Sequence, residues 1–537
     1  MRACRTLSRA DGGFAELYRR LMPPRVMGRH GPTLSMDGLT PNSATEQAYA
    51  FRQPTAVPPC RPNTLIRALI RLLAPSMIAV VLSGCASLAP SISHRPATPI
   101  PATWSTAVAA ATSGQLATPL ADWWQRFDDP TLTALVTQAL QANPSVRGAQ
   151  AALLQARALR DVQAAGLGPL VGASASAQRS QSGKLDASNR FQAGFDASWE
   201  PDVFGANRSA AHASAADALA AETSLASTQV SLAAEVALNT ITLRGLQARL
   251  AIARSNLAAQ TETLQITRWR AQAGLVSSLD VEQAVAASEQ TAAQVPALQS
   301  SIGQTLNALA VLTGQAPGTL QASLAQARQI PLPPPELALA FPAETLRQRP
   351  DVRTAEHRVS AALARVAAAD AARYPSFRLG GSLGLSALTL GTLTHGASVV
   401  SALLASVSVP LLDGGAARAR VRAQEGALEQ ARASYQATVL SALQDVEDAL
   451  VALNGGRERL TRLQAAATAA ANAELLARQR YASGLIDFRT VLDTQRTLLA
   501  TQDSVAATQA SVASDHVRLY KALGGGWAPD AEPDAGT

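Results

Sequence analysis

The ionisable and nucleophilic side chains of this 537-residue chain are arranged for very little covalent chemistry. Its six histidines, His30, His94, His212, His357, His395 and His516, fall in no metal-ligand spacing. Neither a phosphate-binding glycine loop nor a zinc-protease helix motif occurs, so an enzyme is not expected and no cofactor or metal site is assigned. Two places remain where side chains could act. One is the thiol of Cys85, which ends the run Leu82-Ser83-Gly84-Cys85. Cys4 and Cys60 lie upstream, so a chain cut before Cys85 keeps a single thiol at its new N-terminus and can form neither an intrachain disulfide nor a multi-cysteine metal site. The other is the charged run Asp487, Arg489 and Asp493, with Asp280 at a matching place earlier. Arg489 and Asp493 are four apart and share one helical face. Repeated around an axis by identical copies, such charges become rings that cannot approach each other without cost.

The thiol sits in a recognisable context. Arg67 and Arg71 precede the apolar run Leu72 to Leu82, and small residues follow. This is a secretory signal pattern, too short to cross a membrane as a stable helix. Its end resembles the lipobox of bacterial lipoproteins, which implies removal of the signal and acylation of Cys85. Ala86 follows, which implies sorting to the outer membrane. Residues 61–84 are then the lipoprotein signal peptide. Residues 1–60, Arg- and Pro-rich without periodicity, are expected to be a non-native extension from a misplaced start codon.

The net charge of +7 looks at first like a nucleic-acid signature. However, the first 84 residues hold 11 arginines against 4 acids, and the remainder is formally neutral. The basic balance therefore gives no support for nucleic-acid binding.

The elements that must position the charged run come in two matching sets. Residues 269 to 275, Trp-Arg-Ala-Gln-Ala-Gly-Leu, lie over 479 to 485, Gln-Arg-Tyr-Ala-Ser-Gly-Leu, at an offset of 210. The same offset carries Val281 onto Val491, Gly314 onto Gly524, Gly205 onto Gly415 and Arg208 onto Arg418. Earlier, Asn143-Pro144-Ser145-Val146-Arg147 matches Arg349-Pro350-Asp351-Val352-Arg353, and Pro169 matches Pro375, at an offset of 206. The second half is longer by four residues somewhere between, which a loop absorbs easily.

From Asn207 to Ala273 there is no proline, and an unbroken helix of that length would reach about 100 Å. Leu243, Leu246, Leu250, Ala253, Leu257 and Leu264 have coiled-coil spacing. The second half runs from Ala416 to Ser483 without proline, with Asn454-Gly455-Gly456 as a weak point at which the sequence leaves open whether the helix kinks. Strand segments show the opposite period. Phe191, Ala193, Phe195, Ala197 and Trp199 alternate with Gln192, Gly194, Asp196, Ser198 and Glu200. Phe377, Leu379, Leu383 and Leu385 repeat this, as do Val399, Leu403, Val407 and Val409. Segments of about ten residues suit tilted strands that cross a bilayer. A sheet in lipid must close into a barrel, and four strands are too few when single-chain barrels start at about eight. Several chains must then share one barrel.

These residues resemble the TolC/OprM family of outer-membrane efflux proteins, in its NodT-like lipoprotein branch. The likeness covers roughly residues 85 to 527. It rests on Asp122-Trp123-Trp124, Phe127-Asp128-Asp129-Pro130, Asn143-Pro144, Ser198-Trp199-Glu200-Pro201-Asp202-Val203-Phe204-Gly205, Arg349-Pro350-Asp351-Val352-Arg353 with Ala355-Glu356, Val409-Pro410-Leu411-Leu412-Asp413-Gly414-Gly415, and Leu519-Tyr520-Lys521-Ala522-Leu523-Gly524-Gly525-Gly526-Trp527. The resemblance implies an α+β membrane protein, a long antiparallel α-helical coiled-coil barrel continuous with a transmembrane β-barrel of four strands per chain and 12 per homotrimer. Residues 85–330 would form the first repeat and 331–527 the second, with 528–537 a disordered tail.

On that resemblance the breaks Gly274-Leu275 and Gly484-Leu485 are periplasmic tips where an adaptor, or membrane fusion protein, docks, beneath an inner-membrane pump. Asp493 matches the acid of the family's Val-Leu-Asp stretch that lines the closed aperture, with Arg489, Asp487 and Asp280 as further gate candidates. Thr490 departs from relatives that carry a second acid there. The function implied is the trimeric outer-membrane channel of a tripartite efflux system for small molecules, anchored in outer-membrane lipid and reaching into the periplasm. Type I protein secretion and metal-ion efflux share this outer component and stay open as alternatives. A pore-less periplasmic coiled-coil lipoprotein is the alternative of another class, and the alternating strands argue against it.

Overall fold

The computed structural model describes residue 104 and residues 122–183, 186–333 and 343–527, all within the unit Ser93–Thr537. The extension 1–60, the signal 61–84, Cys85 and the tail 528–537 lie outside the described residues.

A short 3-10 turn, Trp123–Phe127, leads into α1 (Pro130–Ala142) and α2 (Pro144–Ala165). Proline opens both helices, where its missing N–H costs nothing. The side chains of Asp129 and Asn143 accept the first free N–H groups of the two helices, at 2.8 Å from Thr131 and 2.7 Å from Ser145. Next come the hairpin β1 (Leu170–Ser180) and β2 (Ser188–Trp199), the long helix α3 (Ala206–Gln272) and its return α4 (Ser278–Leu312). A single helical turn, Gln321–Leu324, follows. The second series is α5 (Pro350–Ala371), β3 (Ser376–Ala387), β4 (Val399–Ser408), α6 (Ala416–Ala482) and α7 (Phe488–Ala522).

Both α3 and α6 have 67 residues, both α4 and α7 have 35, and both α2 and α5 have 22. The β3–β4 loop, 388–398, exceeds the β1–β2 loop, 181–187, by the four residues that separate the two sequence offsets. At about 1.5 Å per residue α3 and α6 each extend about 100 Å. No kink-marking break appears at Asn454-Gly455-Gly456: α6 passes through it as continuous helix. The glycine there serves packing, since a Cβ on Gly456 would come 3.1 Å from Cγ2 of Val512 on α7.

Helix α2 packs on α3, α5 packs between α3 and α6, and α4 and α7 run beside α3 and α6 respectively. The shorter helices meet end to end. Asn143 Nδ2 donates to the Leu312 carbonyl at 2.8 Å, so α4 stops against the start of α2. Arg349 Nη1 donates to the Ala522 carbonyl at 2.8 Å, so α7 stops against the start of α5. Two apolar clusters lie around these junctions among the described residues, one with Trp123 stacked on Tyr520 at 5.4 Å and Leu132, Val136, Ile241, Leu309 and Val517 fully buried, the other with Leu346, Val352, Leu453 and Leu519.

The four strands form one antiparallel sheet in the order β1-β2-β3-β4. Phe195 lies opposite Ala173 on one side and Leu383 on the other, and Leu379 lies opposite Ala405, so one parity of residues makes a single apolar face. The opposite parity is polar on β1 to β3, with Ser174, Gln192, Asp196, Ser382 and Ser386, while β4 adds Val400 and Leu404 to it. Gly194 and Gly384 face each other on this polar side. A Cβ on Gly194 would lie 2.7 Å from the Gly384 Cα, closer than side chains allow. The backbones therefore converge on the polar face, and glycine is the residue that permits it.

Candidate functional site

The lower ends of the four long helices make the candidate site. Gly274 and Gly484, both at φ 73°, end α3 and α6 in the left-handed conformation. In each turn the glycine N–H and the following leucine N–H close the helix, with Leu275 donating to Arg270 at 2.8 Å and Leu485 donating to Arg480 at 2.9 Å. The double-bonded turn leaves Leu275 and Leu485 standing in solvent, 73% and 74% exposed. Two predicted tip pairs thus have one geometry.

The acids just beyond them have a local task. Asp280 forms a reciprocal capping box with Ser277: its carboxylate accepts from the Ser277 N–H at 3.0 Å, and its N–H donates to the Ser277 hydroxyl at 3.3 Å. Asp487 caps α7, accepting the Thr490 N–H at 3.0 Å. The Thr490 hydroxyl, that N–H and the Arg489 charge hold the Asp487 carboxyl below the usual range. Both acids are accounted for by helix starts, which sequence spacing alone did not separate from a gate. Arg489 and Asp493 are both exposed on α7, yet Asp493 pairs with Arg496 at 3.9 Å rather than with Arg489.

Sequence reasoning missed what fastens the tips. Arg270, in the last turn of α3, reaches across to the end of α6 and donates to the carbonyls of Tyr481 and Ala482, each at 3.0 Å. Its guanidinium lies 4.4 Å above the Tyr481 ring. Leu264, Ala284, Ala287, Tyr481, Phe488, Val491 and Leu492 form a buried apolar cluster beside it, drawing on all four helices.

Higher up, α3 and α7 meet along a polar seam. Arg249 pairs with Asp503 at 2.7 and 3.1 Å, Asn256 donates to Gln502 at 2.9 Å, and Gln495 donates to Thr263 at 3.0 Å. Arg249, Asn256, Thr263 and Arg270 stand seven apart, and that heptad of polar residues was the available signal.

At the opposite end the sheet presents Phe195, Leu383, Leu403 and Val407 on its apolar face, all more than half exposed. Phe204 stacks on Tyr374 at 4.9 Å where strands give way to helices, and Trp199 donates from Nε1 to the Leu167 carbonyl at 3.0 Å. On the polar side Ser174 donates to Asp196 at 2.8 Å, and Arg378 pairs with Glu200. Strands β1 and β4 each leave one edge unpaired among the described residues.

Known proteins share this arrangement. The family model for outer membrane efflux protein matches residues 135–315 and 341–525. Outer membrane protein OprJ of Pseudomonas aeruginosa is 32% identical over 459 residues, covering 84% of this chain and 95% of that protein. Toluene efflux pump outer membrane protein TtgF of Pseudomonas putida is 32% identical, covering 84% and 96%. Among solved structures, the outer-membrane channel OprN has 36% identity and a TM-score of 0.73, covering 81% of this chain and all of that one. The open state of the MtrE channel of Neisseria gonorrhoeae has 26% identity and a TM-score of 0.70, covering 81% and 97%.

Proposed function

The chain belongs to the outer membrane efflux protein family and is the outer-membrane channel of an efflux system, and from this premise we propose that it works as a homotrimer. Three copies supply 12 strands to one closed barrel and continue it with long helices as a conduit through the periplasm. The observation that carries this is the sheet itself: among the described residues it has four strands, with Phe195, Leu383, Leu403 and Val407 exposed on one face and both outer edges unpaired. Such edges cannot stay open in hydrocarbon, and closure by further copies pairs every one of them. Gly194 and Gly384 support the sense of curvature, because strands that converge on the polar face put that face inside. The equal helix lengths support the reading of two repeats.

Within this reading the tips at Gly274-Leu275 and Gly484-Leu485 receive a periplasmic adaptor coupled to an inner-membrane pump. Exposed leucines held on rigid turns suit such docking. Asp493 and Arg489, exposed on α7, line the closed aperture, while Asp280 and Asp487 shape the turns beside it. Cys85 carries the lipid anchor. The cargo is small organic molecules, in line with the toluene named for one relative.

The test is purification of the full chain from outer-membrane fractions in mild detergent, followed by planar-bilayer recording. A stable trimer that conducts is expected. Material that stays monomeric and passes no current overturns the proposal.

A further inference from the structure

We propose that the inner wall of the conduit carries, on each chain, a recess that recognises small organic anions, with Arg358 as its cation. This rests on the channel reading above and adds a chemical class of cargo that the wall itself favours. Between α3, α5 and α6 lies a recess of about 540 Å³. Ser224 and Ser227 line it from α3, Gln424, Ser434 and Thr438 from α6, and Arg358 from α5. Ala355 and Ala362, both buried, give it a floor of small side chains. Its volume falls in the range of roughly 300–1,000 Å³ that takes a small organic molecule.

The recess has a net positive charge, and one residue is its source. Asp351 and Arg365 also line it, but each is already paired, Asp351 with Arg349 at 2.7 Å and Arg365 with Asp217. Arg358 is exposed and has neither an ion-pair nor a hydrogen-bond partner among the described residues. Its charge therefore neutralises nothing in the fold and is available to a ligand. A planar guanidinium fork matches the edge of a carboxylate or sulfonate. The hydroxyls and the amide around it can donate to the remaining oxygen lone pairs, and the alanine floor admits an apolar body.

A neighbouring recess shows which way this one opens. Gln163 of α2, Ser214 of α3, Arg365 of α5 and Gln424 of α6 line one cavity of about 310 Å³. Four helices in a row can share a cavity only on the side toward which the row curves. Arg365 and Gln424 belong to both recesses, so both open on the concave side, which becomes the inner side when copies close the wall. Three copies then set three Arg358 guanidiniums around the bore at one height. Such a ring of fixed cations draws anions toward the wall.

The helix framework does not itself require this arginine. The offset of 206 puts Ala152 of α2 where α5 has Arg358, and Ala152 is exposed as well. The two halves keep the same rod and differ in what it presents. A single exposed cation also suits passage, because it holds an anion long enough to favour entry and too weakly to trap it.

The experiment records single channels of the full chain in a planar bilayer, with benzoate as the probe and benzyl alcohol as its neutral counterpart. Benzoate should lower the wild-type current saturably, and benzyl alcohol at the same concentrations should not. Arg358→Ala should raise the half-blocking benzoate concentration about tenfold, the weight of one charge-assisted contact in water, and Arg358→Lys should fall between the two. The zero-current potential across a potassium chloride gradient should move toward cation preference in Arg358→Ala and farther in Arg358→Glu. Equal half-blocking concentrations in wild type and Arg358→Ala, or equal block by the two probes, overturn the recess as an anion site while the channel stands. A change in ion preference without any block by benzoate reduces Arg358 to a surface charge and overturns the site too. Wild-type protein that passes no current overturns the channel reading, and the recess with it.

Discussion

Arg349 Nη1 donates to the carbonyl oxygen of Ala522 at 2.8 Å and does for the second half what Asn143, donating to Leu312, does for the first. The replacement of a neutral amide by a cation brings its own counter-charges. Arg349 also pairs with Asp351 at 2.7 Å and Asp445 at 3.1 Å, with its side chain only 9% exposed. Burial works against the guanidinium charge, but the hydrogen bonds and charges of the two carboxylates outweigh it.

Arg349→Ala should therefore cost about 3 kcal/mol, because it leaves two carboxylates without their cation and one helix end open. Asn143→Ala should cost only about 1 kcal/mol. Thermal midpoints of the two variants give the comparison, and equal losses would remove the special weight given to Arg349.

Glycines with positive φ separate into two classes. A Cβ on Gly525, at φ 62°, would lie 2.5 Å from Cγ1 of Val230, whereas one on Gly484, at φ 73°, meets nothing within 4 Å. Gly525→Ala should cost about 3 kcal/mol, from strain and overpacking together, and Gly484→Ala about 1 kcal/mol from strain alone. Adding Val230→Ala should recover part of the first loss and none of the second.

Arg270→Ala removes two carbonyl caps and the cation over Tyr481, and should loosen the tips. Single-channel conductance in a planar bilayer should rise, and Arg270→Lys should rise too, since an ammonium cannot bridge both carbonyls with the same planar fork. Conductance equal to wild type in both variants would take Arg270 out of tip closure.

Asp493→Ala, or Arg489→Ala, should also raise conductance if these side chains line the aperture. Asp487→Ala should act chiefly on the start of α7, whose N–H groups it caps. Unchanged conductance in both the Asp493 and Arg489 variants would remove them from the gate.

How much of this was legible depends on how local the signal is. The long helices, the alternating strands and the Gly-Leu turns follow from periodicity and from glycine's tolerance of positive φ, so positions such as Phe195 and Gly484 could be read directly. Asp280 and Asp487 were legible as acids near a tip but not as caps, because Ser277 and Thr490 complete the caps only once the helix start is fixed. Arg270 was invisible for another reason: its partners are backbone carbonyls 211 and 212 residues away, and carbonyls leave no mark in a sequence. The same holds for Arg349, whose match to Asn143 was evident while its hydrogen bond to Ala522 was not.

His516 should make stability depend on pH. It is 3% exposed, and burial together with the nearby Arg457 charge lowers its pKa to about 4 from an ordinary 6.5. The unfolded chain then takes up the proton first, so stability is full above about pH 6.5 and falls toward pH 4 by up to roughly 3 kcal/mol. Asp515 acts the opposite way, since burial raises its carboxyl and the folded form holds that proton more tightly as pH drops. Thermal midpoints at pH 7.5 and 5 should differ more for wild type than for His516→Leu, and parallel curves would exclude the histidine.

Each short rod of the wall is a splice. Helices α4 and α7 butt against α2 and α5 at Asn143 and Arg349, while α3 and α6 run past those splices unbroken. Torsion applied at the Gly-Leu turns thus has one continuous path along the chain per half, through α3 and through α6. That twist is borne by the two unbroken helices, and the spliced ones pass it to each other only through their end contacts at Asn143 and Arg349.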